Sequence, residues 1–351
     1  VTGRTGAARL TNAVERIAAA GVDDRDLRAQ ILNVIRNLIP FDNYAFLLTD
    51  PTTSVGCSPV ADVPDLATLP SLIRLKYVTP VNRWTGLSES GCATLVHATA
   101  GRPEQSGLWR EYLAGLGIID VVSVVFNDRF GWWGFLDLWR RESLFTNDEA
   151  TALACARPAI TLLLRGMQAA AFRATELPPE RRGPGALVLS PELTVRTQTA
   201  QTDNWLKALV PPPVGQSPIP ASAYNVAAQL LAIEAGVDTH PAQARVHVGG
   251  GSWLTLRADR LGDSAPTELR DIVVTMESSS PTERRDVFSR SHGLTNRETE
   301  VFRHVADGAD TRAVATLMSI SELTVQDHLK AVFTKTLTSS RRELLALSLG
   351  R

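Results

Sequence analysis

The residues best placed to do chemistry lie near the C-terminus. Gln326, Asp327, Lys330 and Thr334 fall on one face of a helix at offsets of three and four, which sets an amide, a carboxylate, an ammonium and a hydroxyl side by side. Such a face, laid in a major groove, can meet base edges: amides and ammonium groups suit purine edges, and a carboxylate accepts from cytosine N4. Thr324, near the start of the same helix, stands close to free amide donors and the positive helix end, which suits a backbone phosphate. Arg312, Lys335, Arg341 and Arg342 lie nearby in sequence. If that face enters a major groove, the residues placed to contact double-stranded DNA are Thr324, Gln326, Asp327, Lys330, Arg312, Lys335 and Arg341. Lysine is otherwise scarce, since Lys76 and Lys207 are the only others.

A second group is aromatic. Five of the seven tryptophans fall in the first half of the chain, and Tyr77, Trp84, Trp109 and Trp133 could line a pocket for a small, mostly apolar effector. Ordinary core packing is the competing reading. Trp132 and Trp133 are neighbours on an expected strand and must point to opposite faces.

Other chemistries find no support. The six histidines form no close ligand pair, so neither a metal site nor a cofactor is expected. Cys57, Cys92 and Cys155 are odd in number and never paired as C-x-x-C. No phosphate-binding glycine loop and no nucleophile elbow occurs, so catalysis is not expected.

These residues need elements to position them. Thr295 with Glu298 forms a capping box before a helix whose apolar face is Val301, Phe302 and Val305, and Gly308 stops it. Asp310 can cap a helix over Thr311 to Met318, and Ser321 another over Glu322 to Thr336, with the short turn Ser319 to Ser321 between them. Val325, Leu329, Val332 and Phe333 recur at offsets of four, seven and eight and face the core. Upstream, helices are expected over Ala8 to Ala20 and Asp26 to Ile39, strands over Tyr44 to Leu48, Val121 to Phe126 and Trp132 to Trp139, and a capped helix over Thr146 to Ala171. A smaller group follows: a hairpin around Ser190 to Glu192, a helix over Ala223 to Ala235, a hairpin on Gly249 to Gly251, and a strand over Ile272 to Met276.

Proline and glycine between Leu177 and Gly185 mark an interdomain linker, and the polar segment Glu277 to Gly293 is a weaker break that separates the strand-like run Asp271 to Met276 from a new helical pattern. Three domains are expected: an α+β sensor domain over 8–176, a smaller α+β domain over 184–277, and an all-α domain over 290–351. The chain of 351 residues is long enough for such a division. No repeat at fixed period is visible. No apolar run reaches the length of a membrane span, and the first ten residues lack the apolar core of a signal peptide, so a cytoplasmic location is expected. The formal charge of −1 argues against a coat of positive charge, yet from Asp286 onward nine basic residues face eight acidic ones. DNA contact would be local and modest in charge.

The C-terminal residues resemble a known family. Leu294-Thr295-Asn296-Arg297-Glu298-Thr299-Glu300-Val301, Ala306-Asp307-Gly308, Val314-Ala315, Ile320 to Leu329, Lys335 and Ser340-Arg341-Arg342-Glu343-Leu344 together resemble the LuxR-type helix-turn-helix domain. The resemblance implies that the helix after Ser321 reads DNA and that the last helix, Arg341 to Leu349, makes a homodimer contact. Thr336-Leu337 stands where the family commonly has Leu-Gly. Residues 8 to about 170 are similar in element order to a GAF-type sensor, and 184–277 to a PAS-type domain through Gly185 to Pro191 and the strands around Gly250. Tyr77, Pro80 and Trp84 share the spacing of acyl-homoserine lactone receptors with this domain, but Thr79 replaces the aspartate that those receptors place before the proline. The whole resembles a one-component transcriptional regulator with a small-molecule effector.

Overall fold

The computed structural model describes residues 3–17, 23–87, 91–173, 183–212, 216–263 and 266–350. The first unit runs through α1 (Gly3–Glu15), α2 (Asp24–Arg36), β1 (Asn43–Thr49), β2 (Gly56–Asp62), α3 (Leu69–Val78), β3 (Cys92–Thr94), the single turn α4 (Leu95–Ala98), β4 (Asp120–Asp128) and β5 (Gly131–Arg140), and ends with α5 (Asn147–Ala170). The second comprises β6 (Gly185–Leu189), β7 (Val195–Gln198), α6 (Ala200–Leu209), α7 (Ala221–Glu234), β8 (Gln243–His247), β9 (Trp253–Arg260) and β10 (Ile272–Ser278). The chain then continues as α8 (Pro281–Ser291), α9 (Asn296–Ala306), α10 (Thr311–Met318), α11 (Glu322–Thr336) and α12 (Arg341–Leu349).

Each of the first two units is built on an antiparallel sheet, in the orders β2-β1-β5-β4-β3 and β7-β6-β10-β9-β8. Numbered from its own first strand, each sheet reads 2-1-5-4-3. The same path is laid twice by sequences without a visible repeat, because strand pairing asks only for alternation and turns. β5 is the central strand of the first sheet and is buried on both faces from Trp133 onward, as its mostly apolar run, broken by Asp137, requires. Gly134 lets β1 pass beside it, since a Cβ there would lie 2.7 Å from the Leu47 carbonyl oxygen. Trp132 and Trp133 do diverge: Trp133 is fully buried, and Trp132 sets its edge against His240 of the second unit.

One side of the first sheet is covered by α5, on which α1 packs, and the other by α3. Helix α7 is buried nearly all round from Ala221 to Gln229 because it fills the space between α3 and the second sheet. The apolar core therefore runs from the first sheet into the second without a break.

The polar segment 277–293, expected as a weak break between elements, holds helix α8, capped by the reciprocal pair Ser280 and Glu283 with Pro281 at its first turn. Its Val287 and Phe288 are fully buried against Phe172, Trp253, Phe302 and Leu344, so α8 joins the C-terminal helices to β9 and to the chain just after α5. The expected linker falls largely on residues 174–182, outside the described residues. Among the described residues no helix is long and apolar enough to cross a membrane.

Candidate functional site

Helices α10 and α11 meet across the turn Ser319–Ser321. Asp310 caps α10 by accepting from the Ala313 amide, and Ser321 caps α11 by accepting from the Thr324 amide. Between them Ser319 takes a left-handed conformation, φ 54°, which ends α10 at once. Val325, Leu329 and Val332 are buried against α9 and α10, as their offsets require. The opposite face presents Gln326, Asp327 and Lys330, all exposed, and neither Asp327 nor Lys330 forms an ion pair among the described residues. Thr324 stands at the helix start with its hydroxyl 2.8 Å from that of Ser321. Arg312 is exposed on α10.

Two residues of the expected contact set have partners within the domain. The Lys335 ammonium donates to both Glu298 carboxylate oxygens at 2.6 and 2.9 Å and to the Gly293 carbonyl at 3.1 Å, tying α11 to the start of α9. Burial pushes the Glu298 carboxyl up, but Lys335 and the Thr295 amide outweigh it and hold the group below the usual carboxylate range. Arg341 donates to the Thr311 hydroxyl at 2.7 Å and so braces the start of α10. Both cations are engaged inside the domain. Leu337, in the position of the family's glycine, keeps the turn after α11 by adopting φ 51° with its side chain 74% exposed. Leu344 of α12 is buried in the α8 cluster, and Arg284 of α8 donates to the Ser348 and Leu347 carbonyls. Part of the expected dimer helix thus packs within the chain.

Residues 292–348 match the family model described as bacterial regulatory proteins, luxR family. This segment is a luxR-family helix-turn-helix domain. DNA binding is the activity that comes with it. No curated protein sequence matches the chain. Among solved structures, the VqsR LBD domain from Pseudomonas aeruginosa is 16% identical with a TM-score of 0.31, covering 46% of this chain and 93% of its own. Escherichia coli SdiA is 14% identical with a TM-score of 0.31, covering 99% of this chain and 96% of its own.

Upstream of the luxR-family domain is a cavity of about 430 Å³, within the range of small-molecule sites. Its floor is the face of the first sheet that carries Leu47, Phe135 and Asp137, its wall is α3, and its far side is Ala221 and Asn225 of α7. Of the four aromatic residues expected to hold a ligand, Tyr77 alone lines it. Trp84 is buried beside it, stacked on Phe135 at 4.4 Å and donating to the Ser54 carbonyl. Trp109 and Trp133 donate to the Ile118 carbonyl and the Asp128 carboxylate and serve packing.

The cavity holds a pair that sequence reasoning missed. The Lys76 ammonium lies 2.7 Å from Asp137, and their side chains are 10% and 6% exposed. Ser123 donates to the other Asp137 oxygen at 2.7 Å. The signal was present, as one of four lysines and as a lone carboxylate inside the run Trp132 to Trp139. A buried ion pair contributes little net stability, so one that lines a cavity is available to hold the polar group of a bound molecule.

Two further arginines bridge the units. Arg83 donates to Asp238 at 2.7 Å and to Gln229 at 2.8 Å, and its guanidinium covers the Trp84 ring at 4.4 Å. Burial would raise the Asp238 carboxyl, but His240 and Arg83 hold it far below the usual range. Arg245 of β8 makes a bidentate pair with Asp50 at 2.7 Å and reaches Asp286 of α8 at 2.8 Å. One guanidinium therefore joins both sheets and the helix that leads into the luxR-family domain.

Proposed function

We propose that the protein is a sequence-specific, DNA-binding transcription regulator of the one-component type, in which a small molecule in the cavity beside Lys76 and Asp137 biases how the luxR-family domain is held. The luxR-family match at 292–348 carries this reading, supported by the exposed face of Gln326, Asp327 and Lys330. The cavity lies between α3 and α7, so occupancy acts where the two sheets meet, and Arg245 relays that junction to α8. The finer reading of the units as GAF-like and PAS-like rests on element order and on Gly185 to Pro191. We read the protein as cytoplasmic, as a homodimer on DNA and as having no catalytic step. Two recognition helices held about 34 Å apart would read half-sites one helical turn apart.

Selection from a random duplex library followed by mobility shift tests the reading. Enrichment of a paired motif is expected, with at least tenfold weaker binding by Lys330→Ala. Absence of any enriched motif, or a Lys330→Ala and Thr324→Ala variant that binds like the parent at every salt concentration, would overturn it. A second reading makes the sheets ligand-free interaction modules, favoured by the packing of Trp84, Trp109 and Trp133 away from the cavity. Melting shifts across a metabolite library separate the two: a saturable shift abolished by Asp137→Asn favours the sensor.

A further inference from the structure

A second depression, of about 210 Å³, lies where the β4–β5 turn meets α8 and the beginning of α9. Its charged lining is Arg129, Arg290, Arg303 and Asp286. That carboxylate is already shared, because its Oδ2 accepts from Arg245 at 2.8 Å and from the Thr52 hydroxyl at 2.9 Å, with the Arg290 Nε at 3.3 Å. Arg129 forms no ion pair among the described residues; its guanidinium only covers the Phe130 ring at 4.7 Å. Arg303 comes no closer than 4.0 Å to Asp286 and is 61% exposed. Asn296 and Thr299 add an amide and a hydroxyl whose side chains make no hydrogen bond among the described residues.

Several arginines that bridge elements elsewhere have a carboxylate close by: Arg28 with Asp24, Arg83 with Asp238, Arg140 with Glu149 and Arg260 with Glu234, all within 2.7 Å. Others, Arg284 and Arg341, are held by carbonyl or hydroxyl acceptors. Here three guanidinium groups line one depression that holds a single, already occupied acid, with Arg290 also donating to the Phe130 carbonyl at 3.0 Å, and planar guanidinium donors match phosphate oxygens in paired geometry. At about 210 Å³ the depression has room for a phosphate and a short body.

We propose that this depression is an anion site for a small phosphorylated molecule, held between Arg129 of the first unit and Arg290 and Arg303 of α8 and α9. Occupancy would add a link between the β4–β5 turn and the luxR-family domain, separate from the Lys76 cavity. The inference does not depend on what that cavity binds.

Calorimetric titration of the full chain with inorganic phosphate and pyrophosphate, at ionic strength held constant with chloride, tests it. One saturable site is expected, weakened at least tenfold by Arg129→Gln with Arg303→Gln and unchanged by Arg9→Gln on α1. Both replaced side chains lack a close ion pair, so the double variant should melt within a few degrees of the parent. No saturable binding by the parent, or equal binding by the double variant, overturns the proposal. So does a third outcome, in which free phosphate fails to bind and the double variant instead loses affinity for duplex DNA: the arginines would then serve the DNA backbone.

Discussion

Replacing Arg245 by methionine removes the charge that joins three parts of the chain and keeps most of the stem. In the parent, Asp50 is fully buried and accepts from Arg245 twice, while the same guanidinium holds Asp286 and the Thr52 hydroxyl. Breaking a buried pair by removing one partner costs roughly 3–5 kcal/mol, because the remaining charge is left uncompensated. Asp50 retains backbone donors, the amides of Thr52 at 2.8 Å, Thr53 at 3.1 Å and Arg245 itself at 2.8 Å. These soften the loss, so Arg245→Met should cost about 3 kcal/mol, the lower end of that range. Urea unfolding followed by tryptophan fluorescence reads the change. Adding Asp50→Asn to Arg245→Met removes the orphaned charge, and the pair of changes should cost less than the sum of the singles by about 2 kcal/mol, as coupled sites do. Hydrogen exchange should quicken first in α8, which loses its anchor to β8. A cost below about 1 kcal/mol, or strict additivity, would refute the account of Arg245 as the joint between the sheets and the luxR-family domain.

Acid should loosen the same joint. Burial lowers His247 and His292 from 6.5 to about 4, so each is neutral in the folded chain while the unfolded chain binds protons below pH 6.5. Stability is then full above pH 6.5 and declines as pH falls toward 4; a urea midpoint that stayed flat across this window, or fell equally in His292→Phe, would contradict the assignment. Leu337→Gly should stabilise the C-terminal domain by up to about 1 kcal/mol, since relief of a left-handed leucine (~1–2 kcal/mol) exceeds the added freedom of unfolded glycine (~0.5–1 kcal/mol). Its side chain is 74% exposed and gives up little burial, so a less stable variant would refute the reasoning. Lys76→Met should destabilise by about 3 kcal/mol through the stranded Asp137, with partial recovery on adding Asp137→Asn; thermal melts equal to the parent's would show that the pair is not buried as described.

How far the sequence revealed the fold depends on what each element touches. Helices α9, α10 and α11 show one apolar face and one polar face because each meets solvent on one side, and their caps at Thr295, Asp310 and Ser321 are local signals. Helix α3 was not anticipated: its Leu72, Ile73, Leu75, Lys76 and Tyr77 are buried around most of its circumference between the first sheet and α7, so no helical period survives. Helix α8 was read only as a polar break although Ser280 and Glu283 are spaced as a capping box, because its polar residues, Arg284 above all, are buried through hydrogen bonds rather than by apolar character. The shared strand order of the two sheets arises from pairings such as Asn43 with Trp139 and Ile272 with Arg260 and Leu189, which no local pattern encodes.

The exposed polar face of α11 was legible from helical phase, whereas the intradomain partners of Lys335 and Arg341 were not legible from proximity in sequence. Gln326, Asp327 and Lys330 share a face because their spacing demands it. Lys335 follows Lys330 by five positions, which at ~100° per residue turns it about 140° around the helix, away from the reading face and toward Glu298. Arg341 belongs to the next helix, where its nearest acceptor is the Thr311 hydroxyl. With both engaged within the domain, Lys330 and Arg312 are the cations of the expected contact set left without an ion pair among the described residues, and Asp327 is an acid on the same face as Lys330. So few phosphate contacts cannot supply tight binding from one copy, since counterion release scales with the number of phosphates neutralised. Under the proposed function, affinity must come from base-edge contacts by Gln326 and Asp327 and from two copies acting together, which makes the geometry set by α8 and Arg245 the quantity a bound effector would have to change.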